Sequence, residues 1–342
     1  MDWRSVSVNP CFIEKGFSMS LYVQKFGGSS VADAEKLMHI SHIIRNARAA
    51  GHDVIAVVSA QGDATNRLIE KKNEISTASF PREQDALLAA GEQISAALTA
   101  IALESTGVPA VSLLGWQVPL RSDGTHGDAR ILKISHTRIE RELSRGRVVV
   151  CAGFQGVDGE NDVTTLGRGG SDYSAVALAA AFGAERCLIY TDVDGVYTAD
   201  PRLCPTARPL PTVSYEDMYA LSRAGAQVLH DKCVALAQES GVEPEVLSCA
   251  PGSASTRIAA SSGSRGLTGV TRRENPQDDY AAVTLVGGAL PSLSIEKKAV
   301  LALNAAGVPI RGVDAGERTL TLYVDRSASR EALCRIHDAV LI

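Results

Sequence analysis

At 342 residues the chain exceeds one ordinary core and suits about two domains. Its 45% apolar and 21% charged residues exclude wholesale disorder, and a net charge of −5 with acids and bases interspersed excludes the basic footprint of a nucleic-acid binder. No apolar run approaches the ~20 residues needed to cross a bilayer, so no membrane contact is expected.

Residues 1–18 contain acids and lack a continuous apolar stretch, so they do not read as a secretory signal. Met19 opens MSLYVQKFGG as a native start would look, and the first 18 residues are taken as an extension without assigned function. Apolar runs at 20–27, 53–60, 108–115, 147–154, 185–192 and 243–249 then read as strands. Helical patterns at 33–51, 83–107 and 170–185 lie between them. Unbroken β-branched runs alternating with helices predict an α/β fold, a three-layer αβα sandwich with a mainly parallel sheet. Such sheets bind ligands at the carboxyl ends of their strands.

A Gly-, Ser- and Pro-rich stretch at 251–266 marks a domain edge. After it come a strand at 279–286, a helix at 292–306, strands at 308–313 and 317–325, and a helix at 328–340. This small α+β module of roughly 75 residues has a marginal core by itself and is expected to pack on a partner. The predicted organisation is therefore 1–18 extension, 19–262 main domain and 263–342 small module. Seven cysteines, at 11, 151, 187, 204, 233, 249 and 334, contain no C-x-x-C pair. Most sit in apolar or helical surroundings and read as small buried hydrophobes, without a metal or disulfide role, in a cytosolic protein.

Four clusters at predicted strand ends carry the chemistry. Lys25 precedes Gly27-Gly28-Ser29, where glycines let backbone N–H groups approach a polyanion and the lysine can neutralise a transferring phosphoryl group. A plain strand–helix turn is the competing reading. Gly167-Arg168-Gly169-Gly170-Ser171-Asp172 places an arginine between glycines, suited to a two-pronged grip on a carboxylate. Asp172 can instead be a helix N-cap. Thr191-Asp192-Val193-Asp194 with Tyr197, Asp200 and Arg202 offers closely spaced carboxylates for a Mg²⁺-nucleotide, or a solvated acidic turn. Ser59, Thr65 and Asn66 follow the second strand, and Glu92 lies in a helix of Ala and Leu, where a lone carboxylate usually faces solvent.

Taken together, VQKFGGSSV, VVSAQGDATNRL, AAGEQISAAL, TTLGRGGSDYSAVALAAAFGA, YTDVDGVYTADPR and GAQVLH resemble the aspartate kinase branch of the amino-acid kinase family, in that family's order from about 20 to 250. The resemblance implies phosphorylation of the β-carboxylate of L-aspartate by ATP, with Mg²⁺ carried by the nucleotide and no protein metal site. It gives Lys25 the role of catalytic lysine, with Arg168 and Asp172 beside it. Gly27, Gly28, Ser29 and Ser59 would cradle the phosphates, while Thr191, Asp192, Tyr197 and Arg202 would contact the nucleotide. Thr65, Glu92, Arg168, Gly169 and Ser171 would hold the amino acid, with Glu92 receiving its ammonium. Other expectations are redirection to another small amino or carboxylic acid, and a weakly catalytic ligand-binding or partner subunit.

The chain departs from the pattern at three places. Gln227 stands where the family has a phosphate-neutralising lysine, which makes Lys232 the candidate replacement cation. Tyr173 follows Ser171-Asp172 where threonine is usual, adding bulk near the proposed amino-acid site. The C-terminal region has room for one ACT-like module where aspartate kinases typically have two, and it is the expected homodimer contact.

Overall fold

The computed structural model describes residues 20–250, 252–263 and 266–342, so the expected extension at 1–18 lies outside them. An eight-stranded sheet organises the main body. Its strands are β1 (Leu21–Phe26), β2 (Asp53–Val58), β3 (Ala110–Leu113), β4 (Val148–Ala152), β5 (Arg186–Thr191), β6 (Thr212–Ser214), β7 (Pro244–Ser248) and β8 (Ser255–Ala259). They lie in the order β6-β8-β7-β5-β1-β2-β4-β3. Pairings from β7 through β3 are parallel, whereas β8 runs antiparallel to β7 and carries β6 with it.

The helices are α1 (Ala34–Ala49), α2 (Ala64–Ile75), α3 (Pro81–Ser105), α4 (Thr137–Ser144), α5 (Gly170–Phe182), α6 (Tyr215–Ala224) and α7 (Asp231–Ser240). Along β2, Val54, Ala56 and Val58 pack with Ile40 and Ile44 of α1 and Leu103 of α3. Ile55 and Val57 point the other way, toward Val176 and Leu178 of α5 and Val234 of α7. Every β2 residue is buried, which is why Val54 to Val58 form a continuous apolar run and not an alternating one. The three-layer αβα architecture follows from that two-sided burial.

Helix α3 is 25 residues long and by length and composition alone could cross a membrane, but it is interrupted by acids and mostly buried inside the fold. Its apolarity has another use. The helix packs in the core through Leu88, Ala96 and Leu103, and it carries the buried acids Asp85 and Glu92. A second small sheet, built from Leu120–Ser122, Ile131–Ile134, Gln155–Val157 and Val163–Thr165, was not anticipated. Its strands are three or four residues long and broken by Gly and Asp turns, too short for a periodic signal.

The C-terminal module contains β9 (Leu267–Glu274), β10 (Tyr280–Gly287), α8 (Leu293–Ala305), β11 (Ile310–Ala315), β12 (Thr319–Asp325) and α9 (Ser329–Leu341). Its antiparallel sheet has the order β9-β10-β12-β11, an ACT-like α+β arrangement. Strand β9, hidden at the end of the Gly/Ser-rich stretch, supplies the fourth strand. The module is docked on the main body by Asp217 of α6, which is 1% exposed. That carboxylate accepts from Thr268 Oγ1 at 2.6 Å and from Arg318 Nε at 2.9 Å. A buried carboxylate with two such donors holds the junction as a fixed contact.

Candidate active site

The site begins where the parallel strands end. After β1 the chain turns through Gly27 and Gly28 into a short 3₁₀ helix, Gly28–Val31. Gly27 N–H donates to Tyr190 O at 3.1 Å, Ser59 N–H to Phe26 O at 3.1 Å, and Gly62 N–H to Gly28 O at 2.9 Å. These bonds bind the ends of β1, β2 and β5 into one rim. A Cβ at position 28 would stand 2.6 Å from Ala60 O, so only glycine allows the two loops to meet.

Lys25 is 7% exposed, and its Nζ lies 2.7 Å from Asp172 Oδ1. Asp172 is in the first turn of α5, but the cap position belongs to Gly169. The N-cap reading of Asp172 is therefore replaced by that of a counter-ion to Lys25, which holds the ammonium at the strand end.

The arginine loop is held from beneath. Asp85 of α3 accepts from Thr165 N–H at 2.9 Å, Thr165 Oγ1 at 2.6 Å and Gly127 N–H at 3.0 Å. Lys232 Nζ donates to Asp128 Oδ1 and Ala129 O, both at 2.9 Å, and to Leu166 O at 3.2 Å. Lys232 lines neither cavity described below; it ties down the loop instead of standing in for a lysine at 227. Tyr173 is likewise displaced from its expected place. It is 7% exposed and packs beneath the loop against Ala129 and Leu166, with the Lys232 ammonium 5.4 Å from its ring centroid. It therefore adds no bulk to the site.

Gly169 has φ 69°, and a Cβ there would stand 2.5 Å from His230 Cβ. Gly169→Ala should cost about 2–4 kcal/mol, combining left-handed backbone strain with overpacking. A shift in denaturation midpoint measures it, and an unchanged midpoint would contradict this geometry.

A cavity of about 250 Å³ opens between these loops. Lys25, Gly28, Ser59, Thr65, Glu92, Arg168, Gly169, Ser171 and Asp172 line it, from four separate stretches of sequence. Arg168 is exposed at its mouth. Glu92 is 3% exposed, contrary to the solvent-facing default for a helical acid. Its Oε1 accepts from Ala60 N–H at 2.9 Å, while buried Oε2 has no partner among the described residues. Burial pushes this carboxyl up to about 7, and the Ala60 amide only partly offsets it. A buried, half-satisfied carboxylate is a receptor for a cation.

Asp192, Tyr197, Arg202 and Gln227 line a second cavity of about 360 Å³, whose far wall includes Arg272, Glu274 and Leu333 of the C-terminal module. Among the described residues two cations face it, each restrained by a carboxylate. Arg202 is paired with Asp200 at 2.9 Å, and Arg272 is paired with Glu274 and donates to Ser329 Oγ at 2.7 Å. Tyr197 OH donates to Asp194 Oδ1 at 2.8 Å, and Thr191 Oγ1 to Asp192 Oδ1 at 3.1 Å. Gly27, Ser29 and Thr191 line neither cavity; Gly27 is buried in the rim and Ser29 is exposed at the start of the 3₁₀ turn. Sequence reasoning missed Asp85, an acid with no motif around it, and Phe154, which lines the first cavity at φ 68°. It also missed the C-terminal wall, which no local pattern announces.

Residues 20–248 match the amino acid kinase family. The chain belongs to that family. Relatives include an aspartokinase of Mycolicibacterium smegmatis, 51% identical over 231 residues, covering 67% of this chain and 55% of that protein. Another, from Pseudomonas aeruginosa, is 50% identical over 229 residues and covers 67% and 56%. The chain thus spans about half the length of the curated relatives it matches. Among solved structures, E. coli aspartokinase III in complex with aspartate and ADP has a TM-score of 0.81 at 20% identity, covering 94% of this chain and 100% of that one. An aspartate kinase from Synechocystis gives 0.64 at 28% identity, covering 94% and 69%. Within this amino acid kinase, the family match contains the residues lining the first cavity, whereas Arg272, Glu274 and Leu333 lie beyond it.

Proposed function

We propose that the protein transfers the γ-phosphoryl group of MgATP to the β-carboxylate of L-aspartate, giving 4-phospho-L-aspartate. The observation carrying this reading is Glu92, whose unpartnered Oε2 lies in the same cavity as Lys25 and Arg168. An ammonium on Glu92 and a carboxylate on Arg168 select an amino acid and leave its side chain directed toward Lys25. The acceptor carboxylate oxygen is already a nucleophile, so it forms the new P–O bond without a base, and the bond to ADP breaks. Lys25, held by Asp172, neutralises charge on the transferring group, and Gly28, which lines the same cavity, lets the backbone approach the phosphates. The second cavity takes the nucleoside, with Tyr197, Asp192 and Arg202 as contacts. Mg²⁺ enters with the triphosphate.

A coupled ADP-release assay with aspartate tests the proposal, and turnover no higher than that of Lys25→Ala would refute it. Gln227 favours one alternative, nucleotide binding with little turnover. Gln227→Lys raising kcat by tenfold or more would support that reading. A substrate panel checks for redirection to another small amino or carboxylic acid.

The raised carboxyl of Glu92 makes substrate capture pH-dependent. Only its ionised form attracts an ammonium, so KM for aspartate should fall about tenfold from pH 6 to pH 8 and then flatten. A flat profile would show that Glu92 does not receive the substrate.

We assign residues 19–262 to the kinase unit and 263–342 to an ACT-like unit. The open edge of β11 and the exposed Leu301 and Val313 support a homodimer through that unit, which light scattering would measure. Free Cys151, Cys187, Cys204, Cys233, Cys249 and Cys334 suit the reducing cytosol.

A further inference from the structure

A second group of chemically active side chains lies between α9 and the loop that follows Arg202. Cys334 and His337 are three residues apart on α9, so they share a helix face, and Asp338 follows. Cys204 and His337 are both fully buried, whereas Asp338 is exposed. Ligand atoms of Cys204, His337 and Asp338 all lie within 4.8 Å of one another. His337 Nδ1 is 3.2 Å from Asp338 Oδ1, close to the ~3.3 Å edge of a tetrahedron with metal bonds near 2.0 Å. His337 Nε2 is 2.9 Å from Thr198 Oγ1, an outer partner that fixes the ring and leaves Nδ1 turned to the cluster.

We propose that Cys204, His337 and Asp338 bind a zinc-class divalent cation that clamps α9 to the loop beside the second cavity, with solvent as the fourth ligand. One sulfur, one imidazole and one carboxylate form a borderline-soft set that selects zinc or cobalt over the magnesium of a nucleotide. On binding, the Cys204 thiol gives its proton to solvent and the sulfur becomes a thiolate ligand. The site departs from the expectation that Cys204 is only a small hydrophobe.

The competing account uses hydrogen bonds alone. Thr206 Oγ1 lies 2.6 Å from Asp338 Oδ1, 3.3 Å from His337 Nδ1 and 3.4 Å from Cys204 Sγ, so one hydroxyl touches all three groups. The accounts differ over sulfur. A hydrogen-bonded cluster tolerates Cys204→Ser, whereas a metal site loses its soft ligand.

The test is cobalt titration of the full, chelator-treated chain, followed by zinc competition. Stoichiometric binding with thiolate charge-transfer absorption is expected, reversed by zinc, with a rise in unfolding temperature. Cys204→Ser should weaken binding by about 100-fold or more and abolish the charge-transfer band. Cys334→Ser, whose sulfur is bonded to Leu203 O outside the cluster, should leave the band in place. Wild-type protein that retains no cobalt after gel filtration, or binds it without a thiolate band, overturns the proposal whether or not a variant folds. A spectrum identical in Cys204→Ser overturns it equally.

Discussion

Lys25→Met should lower kcat for aspartate-dependent ADP release by about 10³, the loss expected when a charged transition-state contact is removed. The same change strands Asp172, whose side chain is only 13% exposed, beside an apolar group. Leaving one member of a buried pair uncompensated should destabilise the fold by about 3 kcal/mol. The two effects separate in a double variant. Lys25→Met with Asp172→Asn should recover most of the stability and none of the activity. Were the double variant active, charge at position 25 would have no part in transfer. Were the single variant as stable as wild type, the 2.7 Å contact would have no structural weight.

Glu92→Gln has the second large expected effect, and it falls on a different constant. Glutamine keeps an oxygen for the Ala60 amide but carries no charge for an ammonium. KM for aspartate should rise about 100-fold, with kcat at saturation changed only a few-fold, because the contact forms with substrate and transition state alike. The dependence of KM on pH between 6 and 8 should vanish in this variant. Stability moves oppositely. The folded-state carboxyl is raised to about 7, so its favourable contribution is present below its ordinary range and is lost as pH rises through 7. At pH 8 wild type bears the full cost of a buried charge. Glu92→Gln should therefore be more stable there by about 3 kcal/mol, and indistinguishable near pH 4. Equal stability at both values would mean that Glu92 is not buried as a charge.

The parallel frame was legible because its strands are buried on both faces. Val54 to Val58 cannot be read as anything but a deep strand once helices flank it. Lys25, Ser59 and Arg168 were legible for the same reason: each follows a strand or belongs to a glycine-marked turn, and strand ends converge in this architecture. The errors have physical causes too. Lys232 looked like a spare cation because sequence distance does not reveal that its ammonium turns toward Asp128 and Leu166. Tyr173 looked like an obstruction because the fourth helical residue of α5 can face the cavity or the core, and 3.6-residue periodicity does not separate the two so near a helix start. Asp85 carried no signal. An acid in a helix is ordinary until a neighbouring loop delivers Thr165 and Gly127 to it. The wall formed by Arg272, Glu274 and Leu333 depends on how two units meet, and nothing in either sequence segment specifies that.

Strand β2 has a consequence for how such a protein can change over generations. Val54 to Val58 are enclosed, so none of these five positions accepts an unpaired charge without a large loss of stability; the buried Asp53 at the strand's start is matched by Arg48. Thr65 and Arg168, by contrast, sit on segments that hang from strand ends and touch little of the core. Drift in the frame is closed off while variation at the rim stays open. A lineage can therefore trial new acceptors one rim residue at a time, with the same sheet beneath every trial.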